Sequence, residues 1–484
     1  SNRNVGNSLM SKIEVNTVAP QCGTTLTLGE SGDTVTLGAG ASQSGFGRTG
    51  AVDWQTTPKT ATFTAVSGEG YFINSSSSIT VNLPAGVAGA IVAFSDYARN
   101  FATYNLVLSP NGSEKIGGIA NDGALNVNGQ AATFVYVDST KGWVNVQNAE
   151  DTEVGAPSFL SASGGTETTC GDFKIHTFTS PGTFCVSAVT ASASLNTVGY
   201  LVVAGGGGGG ASSNGSVFGG GGAGAGGFRE GRNAPIDNFT ASPLVANAPT
   251  NAVVLTAGAF PITVGAGATG GAATTCGAGT RASNGSNSVF STITSAGGGA
   301  AGSRSIGTSP PIPAPADLAQ GQPGGSGGGS SEGGNGFVAG GSGNSPPVAP
   351  PQGNNAGSGA PPTTGTSGGG GAGAVGTNGG PVSTGVAGGA GVSTSITGSS
   401  VARGGGGGSG GGGPPSPYGP GGSGGSGGGG AGSGGNSSGS VAGGNATVNT
   451  GGGGGGASGR VAPSPGAAGG NGGSGIVVIR YKFQ

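Results

Sequence analysis

The chain has 484 residues, a net charge of −2 and only 7% charged side chains, set against 119 glycines. So little charge leaves no basic face for nucleic acid or an anionic membrane surface, and no apolar run approaches the roughly 18 residues of a membrane span. Length alone suggests about three domains.

Residues 1–60 are rich in Gly, Thr and Ser. Ser11-Lys12-Ile13 directly after Met10 reads as a native start, and no charged segment followed by an apolar stretch signals secretion. The alternating pieces at 24–29 and 33–38 are β-like but too short to form a core alone. An attachment or shaft segment is expected here, pairing with other copies or with a neighbouring protein.

Residues 61–148 read as a small antiparallel β-sandwich. Candidate strands at 62–66, 70–74, 79–83, 90–95, 105–109, 132–138 and 142–146 alternate apolar and polar residues. Turn signals such as Pro84-Ala85-Gly86 and Pro110-Asn111-Gly112 bound them, and this spacing suits a sandwich. A linker is expected at 149–158. Residues 159–484 then read as a second β-sandwich, with strands at 172–178, 182–187, 198–204, 252–256, 260–265, 288–294 and 476–483. No helical periodicity of useful length appears, so the fold class is all-β.

Between those strands lies the glycine-rich stretch 205–473. Of the 119 glycines, 94 fall from Gly205 onward, many in runs such as Gly205 to Gly210 and Gly451 to Gly456. Collagen needs glycine at every third position, and no such period is kept. A flexible Gly/Ser coil is the serious alternative, because such chains bury little against their ordering entropy. Against it stand the spaced apolar residues (Phe218, Phe228, Val338, Val375, Ile396, Val448 among them) and the near absence of charge. The apolar runs 198–204 and 475–483 bracket the tract. The ordered solution is large insertions packed as polyglycine II helices: extended glycine chains make no internal hydrogen bonds, yet every buried amide must find a partner. Proline belongs at the edges and loops of such a bundle.

Chemistry is sparse. Cys22, Cys170, Cys185 and Cys276 lack C-x-x-C spacing and nearby histidines, which argues against zinc. Cys170 and Cys185 flank a strand pair and permit one bridge; buried reduced thiols are the competing reading. His176, the single histidine, reads as a satisfied or surface residue on a strand, not a triad member. Nothing marks a pair among the scattered acids Glu69, Asp96, Glu114, Asp122 and Asp138 for glycoside hydrolysis. No phosphate-loop lysine motif occurs, and calcium-binding glycine repeats would need an aspartate per repeat. No catalytic residue, metal or cofactor is expected.

The segment SKIEVNTVAPQCGTTLTLGESGDTVTLGAGASQSGFG, with GSEKIGG at 112–118 and TFVYVDSTKGWVNV at 133–146, resembles tail-fibre proteins of marine tailed phages, cyanophages in particular. FKIHTFTSPGTFCVS, GYLVVAGGGGGG, FPITVGAGATGG and SGIVVIRYKF resemble the glycine-rich distal domain of phage adhesins. The resemblance implies a homotrimeric virion fibre, assembled in the host cytoplasm and joined to other tail or fibre proteins through its N-terminus, with no membrane insertion. It also implies a tip that binds a host surface receptor, a glycan or an outer-membrane protein. The Pro-rich stretches 309–324, 345–353 and 413–421 are where such specificity is expected, with Phe337, Pro346, Pro347, Pro350, Pro351, Pro414, Pro415 and Tyr418 as candidate receptor contacts. The alternative is a purely structural fibre or surface filament.

Overall fold

The structure is a computed structural model that describes residues 52–147, 159–190, 194–213, 218–273, 280–304, 316–331, 338–359, 365–380, 384–412, 418–460 and 465–484. It is all-β and divides into two compact units, with the main boundary between Val154 and Gly155.

The first unit contains β1 (Asp53–Lys59), β2 (Phe63–Thr64), β3 (Glu69–Ile73), β4 (Ile79–Asn82), β5 (Ile91–Asp96), β6 (Leu106–Ser109), β7 (Gly123–Leu125), β8 (Ala131–Asp138) and β9 (Gly142–Asn145). They form two sheets, ordered β1-β3-β5-β8-β9 and β2-β4-β6-β7. The sandwich is as expected, but its pairing is not uniformly antiparallel. From β1 to β6 the chain alternates between the sheets, so β1–β3, β3–β5, β2–β4 and β4–β6 all pair parallel. Antiparallel hairpins enter only with β7, β8 and β9. The result is a short solenoid. Period-two alternation fixes which side chains face inward and says nothing about the direction of the neighbouring strand. β1 lies inside the stretch read as attachment segment, yet it pairs with β3 as part of the sandwich. Val81, Leu106, Leu108 and Leu125 from one sheet meet Tyr71, Val92, Phe94, Phe134 and Trp143 from the other. Burial of each large side chain contributes about 1.5–3 kcal/mol.

The second unit contains β10 (Ser161–Ser163), β11 (Thr166–Cys170), β12 (Phe173–Phe178), β13 (Gly182–Ala188), β14 (Thr197–Val203), β15 (Phe228–Arg232), β16 (Val245–Asn247), β17 (Val253–Val254), β18 (Gly258–Thr263), β19 (Ser288–Phe290), β20 (Ile293–Ser295), β21 (Val392–Thr394), β22 (Val401–Arg403) and β23 (Ile476–Lys482), with one helical turn, α1 (Ala316–Ala319). A sheet ordered β11-β12-β23-β14-β15-β16 faces one ordered β10-β13-β18-β19-β20. The apolar runs of β14 and β23 are explained by burial on both faces. Tyr200, Val202, Val477 and Ile479 join Phe184 and Phe290 in the core between the sheets. Leu201, Val203, Ile476 and Val478 join Phe228, Phe239 and Ile396 in a second core. The two strands pair antiparallel with Val203 opposite Ile476, so both ends of the glycine stretch are anchored side by side, as expected. Cys170 and Cys185 sit on different sheets and are free thiols, one half-buried and one exposed, so neither the bridge nor the buried pair holds.

Residues 204–212 show how the glycine stretch packs. Ala204, Gly207 and Gly210 donate their N–H groups to the carbonyls of Gly227, Gly224 and Gly221. Gly205 and Gly208 donate to Ser286 and Ser283; Gly206, Gly209 and Ser212 donate to Gly473, Gly470 and Ala467. Donors advance by three residues while acceptors retreat by three, which defines three antiparallel neighbours. Three parallel neighbours bond the carbonyls of the same segment: Ala268 and Gly271 reach Gly206 and Gly209, Gly298 and Ala301 reach Gly205 and Gly208, and Gly454 and Ala457 reach Gly207 and Gly210. A three-residue turn with backbone bonds in six directions is a polyglycine II lattice. At most of its glycines even a methyl group does not fit. A Cβ placed on Gly206, Gly209 or Gly210 would stand 1.9, 2.0 and 2.0 Å from the carbonyl oxygens of Gly452, Gly455 and Gly302.

Candidate functional site at the far end of the glycine lattice

The lattice has a sandwich end and a far end. At the sandwich end its chains continue from β14, β18, β20 and β22 or lead into β15 and β23. From residue 204 to residue 213 each chain rises at ~3.1 Å per residue, about 28 Å in all, before it leaves the lattice. There Ser212, Ser303, Ser330, Ser367, Ser409 and Ser458 replace glycine, fully buried. Their hydroxyls serve amides that the diverging chains would leave unpaired: Ser303 Oγ accepts from Ala211 N at 3.1 Å and Ser212 Oγ from Ala467 N at 2.9 Å. Ser367 Oγ donates to Gly357 O at 2.6 Å and accepts from Ser330 N at 2.7 Å. On the outer chains the side-chain oxygens of asparagines do the same, as Asn471 Oδ1 accepts from Gly270 N and Asn284 Oδ1 from Ala300 N.

The far end gathers side chains that are remote in sequence. Gly271 packs against Thr280, Ser303 and Ala211, which brings Arg281 and Arg304 to neighbouring positions. The Arg304 guanidinium lies 5.0 Å from the Phe218 ring centroid. Phe218 touches Gly459, beside Arg460, and Tyr418 packs on Gly435 within reach of the same glycine. Arg281, Arg304, Arg460, Phe218 and Tyr418 are all half-buried.

The candidate receptor residues therefore do not form one site. Tyr418 belongs to the far end. Pro346, Pro347, Pro350 and Pro351 belong to the sandwich end, in a loop whose neighbours are Gly324, Gly325, Phe228 and Ala296. Asn344 Oδ1 accepts from Val348 N and Gln352 N, and Gln352 Nε2 donates to Pro346 O. Gln352 also accepts from Ala296 N, and Asn251 Nδ2 donates to Ala349 O at 2.8 Å. Pro346, Pro347 and Pro351 stay exposed on this braced loop. Phe337, Pro414 and Pro415 lie outside the described residues. Composition gave the proline clusters; it carried no information on which end of the lattice each occupies.

Buried charge sits at the sandwich end and fastens the lattice to the sheet. Glu230 is 2% exposed; its carboxylate accepts from Ser242 N at 2.7 Å and from Thr394 Oγ1, joining β15 to β21. Burial pushes its pKa up and pushes that of the nearby Arg403 down. Asp237 lies over Gly199, accepts from Asn233 N and stands 3.9 Å from Arg480 Nε; burial raises its pKa to about 6. The Arg480 guanidinium stacks over Phe173 at 4.2 Å and donates to Asn238 Oδ1. His176 is fully buried between Gly164 O at 2.7 Å and Tyr481 OH at 3.2 Å, and burial lowers its pKa. The carboxylates and His176 are satisfied by the fold around them, whereas Arg403 Nη1 and Arg480 Nε are buried without a hydrogen-bond partner; no group of three or more His, Cys, Asp or Glu able to hold a metal occurs among the described residues.

No curated protein matches the chain. A family model described as a glycine-rich domain matches residues 179–482, from β13 through the lattice to β23 and more than half of the sequence, so the chain belongs to the glycine-rich domain family.

Proposed function

We propose that the chain is a phage tail-fibre adhesin, and that the far end of the lattice is the part that meets a host surface receptor. The observation that carries this reading is the arrangement of the lattice connections. The far-end junctions 213/218, 273/280, 304/316, 331/338 and 460/465 belong to chains bonded to one another through their backbones. A rigid scaffold that gathers several of its connections at one end suits recognition, because loops carry binding when the scaffold fixes their positions. Several copies on one particle would multiply a weak contact. Homotrimeric assembly and attachment through residues 1–60 belong to the same proposal and rest on the sequence resemblance.

The test is adsorption. Purified full-length protein, fluorescently labelled, is expected to bind a subset of marine cyanobacterial strains saturably and to block adsorption of a phage that carries it. A purely structural fibre would bind none of them and block nothing, and that result would overturn the proposal.

A further inference from the structure

We infer that the far end of the lattice takes an anionic group, a phosphate or carboxylate carried on a surface polysaccharide; the biological part of this inference rests on the adhesin reading above. The glycine stretch keeps few charges, and those it keeps are of a particular kind. Between Gly205 and Gly475 every basic residue is arginine, namely Arg229, Arg232, Arg281, Arg304, Arg403 and Arg460, and lysine does not occur. Lysine solubilises a surface equally well; arginine adds a planar fork that grips carboxylate and phosphate oxygens in pairs.

The packing then sorts these residues. Arg403 is buried at the sandwich end, where Glu230 faces it, and Arg229 and Arg232 lie on β15. Arg281, Arg304 and Arg460 come from three separate parts of the sequence and converge on the far end through Gly271, Ser303, Phe218 and Gly459. The acids divide differently. Of the four beyond Gly205, Glu230 and Asp237 are buried at the sandwich end. Asp317, on α1, follows Arg304 at the far end, and Glu332 lies outside the described residues. Three guanidiniums against at most two carboxylates leave this end net positive, on a scaffold that otherwise carries almost no charge. Phe218 and Tyr418 beside them supply ring faces.

Direct titration of the purified full chain with polyphosphate, polygalacturonate and neutral dextran tests this. Saturable binding of one or both polyanions, weakened at least tenfold by 0.5 M salt and absent with dextran, is expected, and the arm that binds identifies phosphate or carboxylate as the anion. The triple variant R281Q/R304Q/R460Q is expected to lose at least tenfold in polyanion affinity, while R281K/R304K/R460K, which keeps the charge and loses the planar fork, is expected to fall between it and the wild type. Amide exchange in residues 204–212 checks that both variants keep the lattice. If the glutamine variant does not fold, the wild-type titration decides alone. Equal binding of dextran, no polyanion binding, or an unchanged glutamine variant overturns the inference. Cell binding that survives polyanion and salt also overturns it and leaves the adhesin reading standing; polyanion binding without cell binding does the reverse.

Discussion

The two units hold themselves together by opposite means. In the first, the backbone supplies a frame and side chains fill it: Trp143, Phe94, Phe134 and Leu108 occupy the space between two sheets. In the second, beyond the sandwich, the backbone is both frame and filling. Where a side chain would stand, the next chain's carbonyl oxygen already sits about 2 Å away, as at Gly206, Gly209 and Gly455. A side-chain core tolerates exchange of similar volumes. A lattice whose contacts are main-chain hydrogen bonds is indifferent to hydrophobicity and admits a Cβ only at particular positions, as at the fully buried Ala223, Ala225, Ala301 and Ala457, and excludes it where a neighbouring carbonyl stands in its place. Sequence constraint thus moves from the large residues to the absence of residues.

That contrast can be broken from either side. The largest effect is expected from Phe134→Ala, which empties a fully buried position and should cost about 3–5 kcal/mol in denaturant unfolding of the first unit. Gly209→Ala should cost about 1–3 kcal/mol through overpacking, because its methyl group meets Gly455 O at 2.0 Å. Faster amide exchange in residues 204–212 and 451–457 would register it. The control is Gly380→Ala on an outer chain, where the added carbon meets only a Val386 methyl at 3.4 Å and stability should change by less than about 0.5 kcal/mol. If Gly209→Ala and Gly380→Ala behave alike, backbone contact does not hold the lattice. Ser367→Ala removes a hydroxyl that serves Ser330 and Gly357, and a loss of about 1 kcal/mol is expected.

How much of this the sequence disclosed follows the same divide. The strands of both sandwiches were legible because alternation and apolar runs report burial directly; β14 and β23 stand where the runs 198–204 and 476–483 place them. Strand direction was not legible, since β3 beside β5 reads identically in parallel or antiparallel pairing. Short strands of mixed composition, β11 with Thr166–Cys170 and β15 with Phe228–Arg232, gave no alternating signal. In the glycine stretch the reasoning from hydrogen-bond satisfaction found the lattice, but the spaced apolar residues do not fill it. Val375 and Val448 are 62% and 66% exposed, while Phe228 and Ile396 belong to the second core, with Leu201 and Val478. Alanine and serine, not valine, are the residues that enter the lattice: both are small, and at the far end the serine hydroxyl also stands in for a missing carbonyl or amide. The site was the least legible part. Arg281, Arg304 and Arg460 are isolated in the sequence, and only the bonding of residues 211, 271, 303 and 459 to distant chains brings them together.

The last effect is read against pH and concerns the joint between the two kinds of structure. Asp237 has its pKa raised by burial to about 6, against an ordinary value of 3.8. A raised carboxyl pKa means the folded chain holds a proton that the unfolded chain releases, so Asp237 favours folding below pH 4 and that contribution fades as the pH climbs through 6. Unfolding free energy should therefore decline by about 3 kcal/mol across this window, the pull of Arg480 at 3.9 Å being already part of the shift. Asp237→Asn keeps an oxygen for Asn233 N and removes this titration, so its stability curve should fall less steeply between pH 4 and 6 than that of the wild type. Glu230 is also pushed up by burial and adds a slope of the same sign, separable by Glu230→Gln. Because the lowered pKa of His176 contributes a slope of opposite sign, the decisive quantity is the difference between wild type and Asp237→Asn; a difference that rises with pH in this window would mean that Arg480 outweighs desolvation and holds Asp237 charged. The joint would then be an ion pair, not a neutral plug, and the lattice would hang from the sheet by charge.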